Sequence, residues 1–250
     1  MSSSEQKRRL VQVEVSLSGQ RITKRPLSFR LVTDQSLPAA ICELEYPSSV
    51  ELGKAGDEVA VSLKTPVKTA VLFTGQVYDA KVYGSARKLS LADGYKNLFD
   101  TALATAYRKE TAGVILSDIL DAAGITGRDV TCPDVEVPRF SHAEKSAVDL
   151  IASLIETLKT FGYSGLRYFF DAENIFRFGT IDDSAVNSGD PLSLETGRTI
   201  IEKRPERIMT LPAAFRHSQS LEVDGASLIA ARTELVLSAR RSFLAIRVKE

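Results

Sequence analysis

The sequence predicts an α+β chain in which two β-barrel-like modules flank a helix–hairpin segment. Three observations predict it. Apolar residues alternate with polar ones through most of residues 10–92. A helical period replaces that alternation between residues 111 and 162, and short extended runs return from residue 199 onward. Strands and helices gathered in separate blocks indicate α+β rather than a βαβ sheet. The expected division is 1–93 for the first β-barrel-like module, 94–185 for the helical segment with its hairpin, and 186–250 for the second β-barrel-like module.

The first block contains six runs. Residues 10–17 place Leu10, Val11, Val13, Val15 and Leu17 in a half-buried strand. "PLSFRLVTD" gives a second and "AICELEYP" a third, closed by Pro47. "GDEVAVSLKTP" sets Val59, Val61 and Leu63 on one face. "TAVLFTGQVYDAKVYG" and "ARKLSLAD" complete the set. Strands at this spacing with turn residues between them suit a small sandwich or barrel. Gly75, inside the fifth run, is expected to mark a bend.

The middle of the chain changes period. "GYKNLFDTALATAYRKE" reads as a short helix followed by an extended segment. "TAGVILSDILDAAG" puts Ile115, Leu116, Ile119, Leu120 and Ala123 on one helical stripe, with Thr111 as N-cap and Gly124 as the stop. Pro133 and Pro138 keep "VTCPDVEVPRF" extended. Ser141 and Glu144 form an S-x-x-E pattern, expected to cap a second helix that runs through Val148, Ile151, Leu154, Ile155, Leu158 and Phe161 to Gly162. "YSGLRYFFDAENIFRFG" then reads as a β-hairpin turning at residues 171–174.

Residues 182–191, "DDSAVNSGDP", are the most linker-like stretch. Beyond them "TIIEKRPERIM" is extended. Leu221 and Val223, a turn at Asp224-Gly225, then Leu228-Ile229, Leu235 to Leu237, and Leu244, Ile246 and Val248 give the final strands.

Composition narrows the function. The 250 residues are 44% hydrophobic and 26% charged, with a formal net charge of zero, which argues against a general nucleic-acid binder. Basic residues cluster locally: Lys7, Arg8, Arg9, Arg21, Lys24, Arg25 and Arg30 near the start, and Arg232, Arg240, Arg241, Arg247 and Lys249 near the end. They read as solvated strand faces or as a contact surface for an acidic partner. Cys42 and Cys132 have no zinc or CxxC spacing and are expected to be free thiols. "MSSSEQKRRL" lacks the apolar core of a secretory signal, and no window approaches the ~18 apolar residues of a membrane span. A soluble protein made and used in cytoplasm is expected.

Catalytic constellations are not found. His142 with Glu144 gives H-x-E, but a zinc deaminase needs P-C-x-x-C downstream, and Cys132 precedes the histidine. His217, between Arg216 and Ser218, is expected on an exposed turn. Asp182-Asp183 is a solvated turn rather than a catalytic pair, because adjacent loop residues do not converge by design. No nucleophile elbow, P-loop or dinucleotide fingerprint occurs. The aromatic run "YFFDAENIFRF", with Arg167 and Arg177, could stack bases, or it could pack against the adjacent helix. No catalytic, cofactor-binding or metal-binding residue is assigned.

The succession "LFTGQVYDAKVYG", "ETAGVILSDILDAAGI", "SHAEKSAVDLIASLIETLKTFGY", "LRYFFDAENIFRFG" and "QSLEVDG" resembles phage tail hub proteins. These include the baseplate hub of contractile tails and the late control D protein, and the order is similar to the N-terminal half of type VI secretion spike proteins. The resemblance covers about residues 10–250 and rests on the order and spacing of elements. The chain departs from many hubs in being shorter, in showing no lysozyme domain or β-helix spike, and in having "FRHS" where a Pro-Gly turn is expected before "QSLEVDG".

The resemblance implies a structural, non-enzymatic role in a virion tail baseplate assembled in a bacterial cytoplasm. Three copies would place six modules around an axis, joining a tail tube protein to a central spike protein. The helical segment would lie outside, facing surrounding baseplate proteins. No sequence-specific nucleic acid and no membrane-spanning segment is implied. Residues 221–248 are expected to carry much of the contact between copies. The alternative function is a β-rich binding module that takes nucleic acid or glycan on the aromatic hairpin.

Overall fold

The computed structural model describes residues 11–65, 68–187 and 191–248. Leu10, the basic residues Lys7, Arg8, Arg9 and Lys249, and part of the linker at 188–190 lie outside the described residues.

The first block comprises β1 (Gln12–Leu17), β2 (Gln20–Arg21), β3 (Ser28–Asp34), β4 (Leu37–Pro47), β5 (Glu58–Lys64), β6 (Thr69–Tyr83) and β7 (Ala86–Ala92). The two-residue β2 carries no alternation to read; it is set by the turn at Ser18 and Gly19, both at positive φ. The middle comprises α1 (Tyr95–Asp100), β8 (Ala102–Thr111), α2 (Ala112–Ala122), β9 (Arg128–Val130), β10 (Glu136–Ser146), α3 (Ala147–Thr160), β11 (Arg167–Phe170) and β12 (Phe176–Gly179). The last block comprises β13 (Leu192–Leu194), β14 (Ile200–Arg204), β15 (Arg207–Thr210), β16 (Ser220–Val223), β17 (Ala226–Ser238) and β18 (Ser242–Val248). Pro205 lacks an N–H and falls in the β14–β15 turn, so the extended run 199–209 is a hairpin.

The two β blocks form one sheet. Its order is β14-β15-β18-β17-β3-β4-β7-β6-β5-β1-β2, with β16 added to β17 and β13 to β16. The blocks meet where β3 pairs antiparallel with β17, from Asp34 opposite Arg232 to Ser28 opposite Ser238. The path has two ends and does not close into a barrel among the described residues. One apolar core draws on both blocks: Phe29, Leu31, Leu44, Tyr46, Val61 and Leu89 pack with Leu235, Leu244 and Ile246. The chain is thus β-rich with few helices.

A second core holds the middle segment. Ile115, Leu116, Ile119 and Leu120 of α2 meet Leu150, Ile151, Leu154 and Leu158 of α3, above Phe170, Phe176 and Phe178 of the hairpin. Thr111 Oγ1 accepts from Val114 N at 3.4 Å as N-cap of α2, and Gly124 follows at φ +70. The hairpin also gains β9, paired parallel to β12.

Two expectations are corrected. The helix α3 does not start at Ser141. Ser141 sits in β10 opposite Ala106 of β8, and that ladder continues to Ser146 opposite Ala102. Ser146 is the N-cap, its Oγ accepting from Asp149 N at 3.1 Å. Glu144 therefore lies in a strand, and the S-x-x-E pattern is a coincidence of spacing. Gly75, too, is not itself a bend. The bulges of β6 fall on either side of it, at Leu72 against β5 and Tyr78 against β7. Gly75 is needed because a Cβ there would lie 2.2 Å from the Ala92 carbonyl oxygen.

Candidate assembly surface

The sheet register fixes which side chains share a face, since directly opposed residues of antiparallel strands point the same way. On the face opposite the core, Glu234 of β17 comes beside Arg30 of β3, then Glu43 and Glu45 of β4, then Lys88 of β7. Arg30 Nε donates to Glu234 Oε1 at 2.8 Å and its Nη1 lies 3.6 Å from Glu43. Lys88 Nζ is 2.6 Å from Glu43, and Arg232 pairs with Asp34 at 3.4 Å. Glu234's hydrogen bond holds the Arg30 pKa up, and Lys88's holds the Glu43 carboxyl down. At Asp34, burial pushes the carboxyl up, and Ser36 together with Arg232 outweighs it, leaving the pKa lowered.

Arg30, Glu43, Glu45, Lys88 and Glu234 line a groove of about 410 Å³ that crosses the seam between the blocks. Acid and base pair along it, so the face carries no strong field of one sign. A polyanion groove would need unpaired cations in a row. Of the basic residues noted near the chain's ends, Arg21, Arg30 and Arg232 are paired with Glu14, Glu234 and Asp34.

A polar joint ties the sheet to the middle segment. Asp93, between β7 and α1, accepts from Ala40 N at 3.0 Å and Tyr95 N at 3.1 Å. Burial pushes its carboxyl up to about 6, against the pull of those N–H groups and of Arg216. Gly94 N donates to Asn174 Oδ1 at 2.7 Å, and a Cβ on Gly94 would strike the Phe170 ring at 2.3 Å. Arg216 reaches the other way: Nη2 donates to the Phe170 carbonyl, and the guanidinium lies 5.7 Å from the Phe169 ring centre. Its buried Nε and Nη1 have no hydrogen-bond partner among the described residues, and burial pushes its pKa down to about 10.

His217 corrects the expectation of an exposed turn. It is buried, edge-on to Phe169 at 4.6 Å, with Nδ1 2.9 Å from Ser218 Oγ. Its backbone N–H donates to Thr33 Oγ1 at 3.0 Å. Burial, then Arg216 and Arg167, push the imidazole down to about 3. The residues 216–218 therefore pin β3 of the sheet to the hairpin. Nothing in the local sequence "FRHS" signals this, because the burying partners come from positions 33 and 169.

The other residues weighed from the sequence fall into structural roles. Phe169, Phe170, Phe176 and Phe178 are buried, so the hairpin presents no ladder of ring faces to a base, and Arg177 is held by Asp171 and Asp129. Asp183 accepts from Thr180 N at 2.6 Å, closing a turn. His142 packs edge-on to Phe140. Cys42 and Cys132 are free thiols whose pKa burial raises, that of Cys132 to about 11. Among the described residues, no group of three or more His, Cys, Asp or Glu is placed to hold a metal ion, and no helix is long and apolar enough to cross a membrane.

No family model and no curated protein matches the sequence. Solved structures do. The 43 kDa tail protein of prophage MuSo2 from Shewanella oneidensis superimposes with a TM-score of 0.76 at 11% identity, covering 96% of this chain and 98% of that one. A tail protein from Neisseria meningitidis MC58 gives 0.69 at 12% identity, covering 96% of each chain. An E. coli component of the type VI secretion system, described as structurally similar to T4 bacteriophage tail proteins, gives 0.66 at 12% identity, covering 94% of this chain and 76% of that one. Over nearly its whole length, the chain has the fold of these phage tail proteins and of the matching part of the type VI secretion component.

Proposed function

We propose that the chain is a structural subunit of a phage tail or of a phage-derived injection particle, and that it forms the baseplate hub ring between tail tube and central spike. The observation that carries this reading is the match in fold to the two tail proteins over 96% of this chain and at least 96% of theirs. The paired-charge face adds to it: a surface with no strong charge of one sign suits the lining of a conduit. In this reading residues 1–93 and 186–250 are the two tube modules of each copy, and three copies set six modules about the axis. Segment 94–185 stands on the outside, where neighbouring baseplate proteins dock. The role is mechanical and non-enzymatic, and the site of action is the tail of a virion assembled in the host cytoplasm.

Purified full-length chain imaged by negative-stain electron microscopy tests this. Rings with threefold features and a central channel are expected; isolated globular particles at micromolar concentration would overturn the reading. The alternative of a nucleic-acid or glycan binder on the hairpin loses its ground in the burial of Phe169, Phe170, Phe176 and Phe178.

A further inference from the structure

Strand β17 is paired on both sides, by β3 and β18, and β18 is paired by β17 and β15. These strands therefore offer a partner a face and no free edge. Their core face carries Thr233, Ile208 and Ile246, all buried. The opposite face carries an arginine on each of four neighbouring strands. Arg204 of β14 is directly opposite Arg207 of β15, Arg207 is opposite Arg247 of β18, and Arg247 is opposite Arg232 of β17. Opposed residues share a face and neighbouring strands lie ~4.8 Å apart, so the four side chains stand in one row.

The row is unevenly satisfied. Arg232, at one end, pairs with Asp34 at 3.4 Å, and Arg204, at the other, pairs with Glu202. Arg207 and Arg247, side by side in the middle, are exposed, and neither guanidinium has an ion pair or hydrogen bond among the described residues. Like charges directly opposite one another weaken a sheet. Packing gives no reason for the pair, since neither side chain is buried. An oxyanion seated between them would replace the repulsion with charge-assisted hydrogen bonds, and the guanidinium fork matches a carboxylate through two parallel N–H groups.

We propose that Arg207 and Arg247 clamp the carboxylates of an acidic segment on a partner protein. The charges around the pair decide what fits. Glu234 stands on the same face two residues along β17 from Arg232, and Glu202 stands likewise beside Arg204 on β14. Glu206, exposed in the β14–β15 turn, is brought to the end of β18 because its backbone oxygen accepts the Val248 N–H at 3.3 Å. The unpaired positive stretch is thus two strands wide, with carboxylates around it, and has room for one or two carboxylates. A run of nucleic-acid phosphates would extend past it to Glu202, Glu206 and Glu234 and be repelled there. The clamp is complete in a single copy of the chain and does not depend on the ring.

Fluorescence anisotropy of a labelled hexaglutamate peptide, with the full chain in low salt, tests this. The peptide should bind the parent and be released by added salt. The double variant R207Q/R247Q should bind it about tenfold more weakly or worse. R108Q/R139Q removes the other opposed arginine pair, on the two-stranded β8–β10 ribbon, which has no arginines on further strands; it should bind as the parent does. No binding by the parent, or equal binding by R207Q/R247Q, would overturn the proposal. A hexathymidylate that binds the parent more tightly than the peptide, and is lost in the double variant, would overturn it in favour of nucleic acid. A change in the mass of the double variant by light scattering, with no peptide present, would overturn it in favour of a second copy as the occupant. R247Q alone should raise the melting temperature in low salt, and the rise should shrink as salt is added, because the opposed charges are relieved. A melting temperature that falls would show the row to be held for stability and would overturn the proposal as well.

Discussion

The hydroxyl of Thr33 lies 2.8 Å from that of Thr233, buried across the seam and 200 positions apart in the chain. Thr33 Oγ1 also accepts the backbone N–H of His217. One side-chain oxygen thus links the first block, the second block and the loop that fastens the hairpin. Thr33→Val should cost about 1–3 kcal/mol, because it leaves the His217 N–H buried without an acceptor. Thr233→Val should cost less, and the double variant should cost little more than Thr33→Val alone. Urea unfolding checks this; costs that simply add would show that the two hydroxyls are not coupled.

Ser146→Ala should lower stability by about 1 kcal/mol through loss of the α3 cap. Ser141→Ala, in an exposed stretch of β10, should stay within about 0.5 kcal/mol of the parent. A pair of thermal melts decides; the reverse order would place the helix start where the sequence pattern alone put it.

Gly75→Ala should cost about 1–3 kcal/mol, since the new methyl meets the Ala92 carbonyl and the ladder between β6 and β7 must shift. A neutral effect would mean that the close approach of these backbones is not required.

The joint makes a pH prediction with two opposed signs. His217 is held at about 3 when folded, against an ordinary 6.5. The unfolded chain therefore binds the extra proton between those values, and His217 takes stability away as pH falls from about 6.5 toward 3. Asp93 is held at about 6, against an ordinary 3.8. There the folded chain binds the extra proton, so Asp93 returns stability as pH falls from about 6 to 4. Asp93→Asn removes only the second effect. Its stability relative to the parent should drop by about 2 kcal/mol between pH 7 and pH 4. A difference that stays constant over that range would show that Asp93 titrates normally.

Local chemistry made most of the elements legible. Alternation marked six strands of the first block, Thr111 and Gly124 bounded α2, and Asp224-Gly225 marked the β16–β17 turn. The misses share a cause: they depend on partners far along the chain. Ser141 carries a valid capping pattern, but the ladder to Ala106 holds it in a strand. His217 looks like a turn residue until Thr33 and Phe169 close over it. The short strands β2, β9 and β13 have two or three residues each, too few to show a period. The fusion of the two β blocks into one sheet was not visible either, because the β3–β17 pairing spans about two hundred positions and leaves no local trace.

The central claim is that this chain assembles as a closed hub ring, and the mass of the full-length protein in solution tests it most directly. Light scattering at micromolar concentration should give a single species of about 82 kDa, three times the 27.3 kDa chain. A single species at the mass of one chain, unchanged on further concentration, would contradict it.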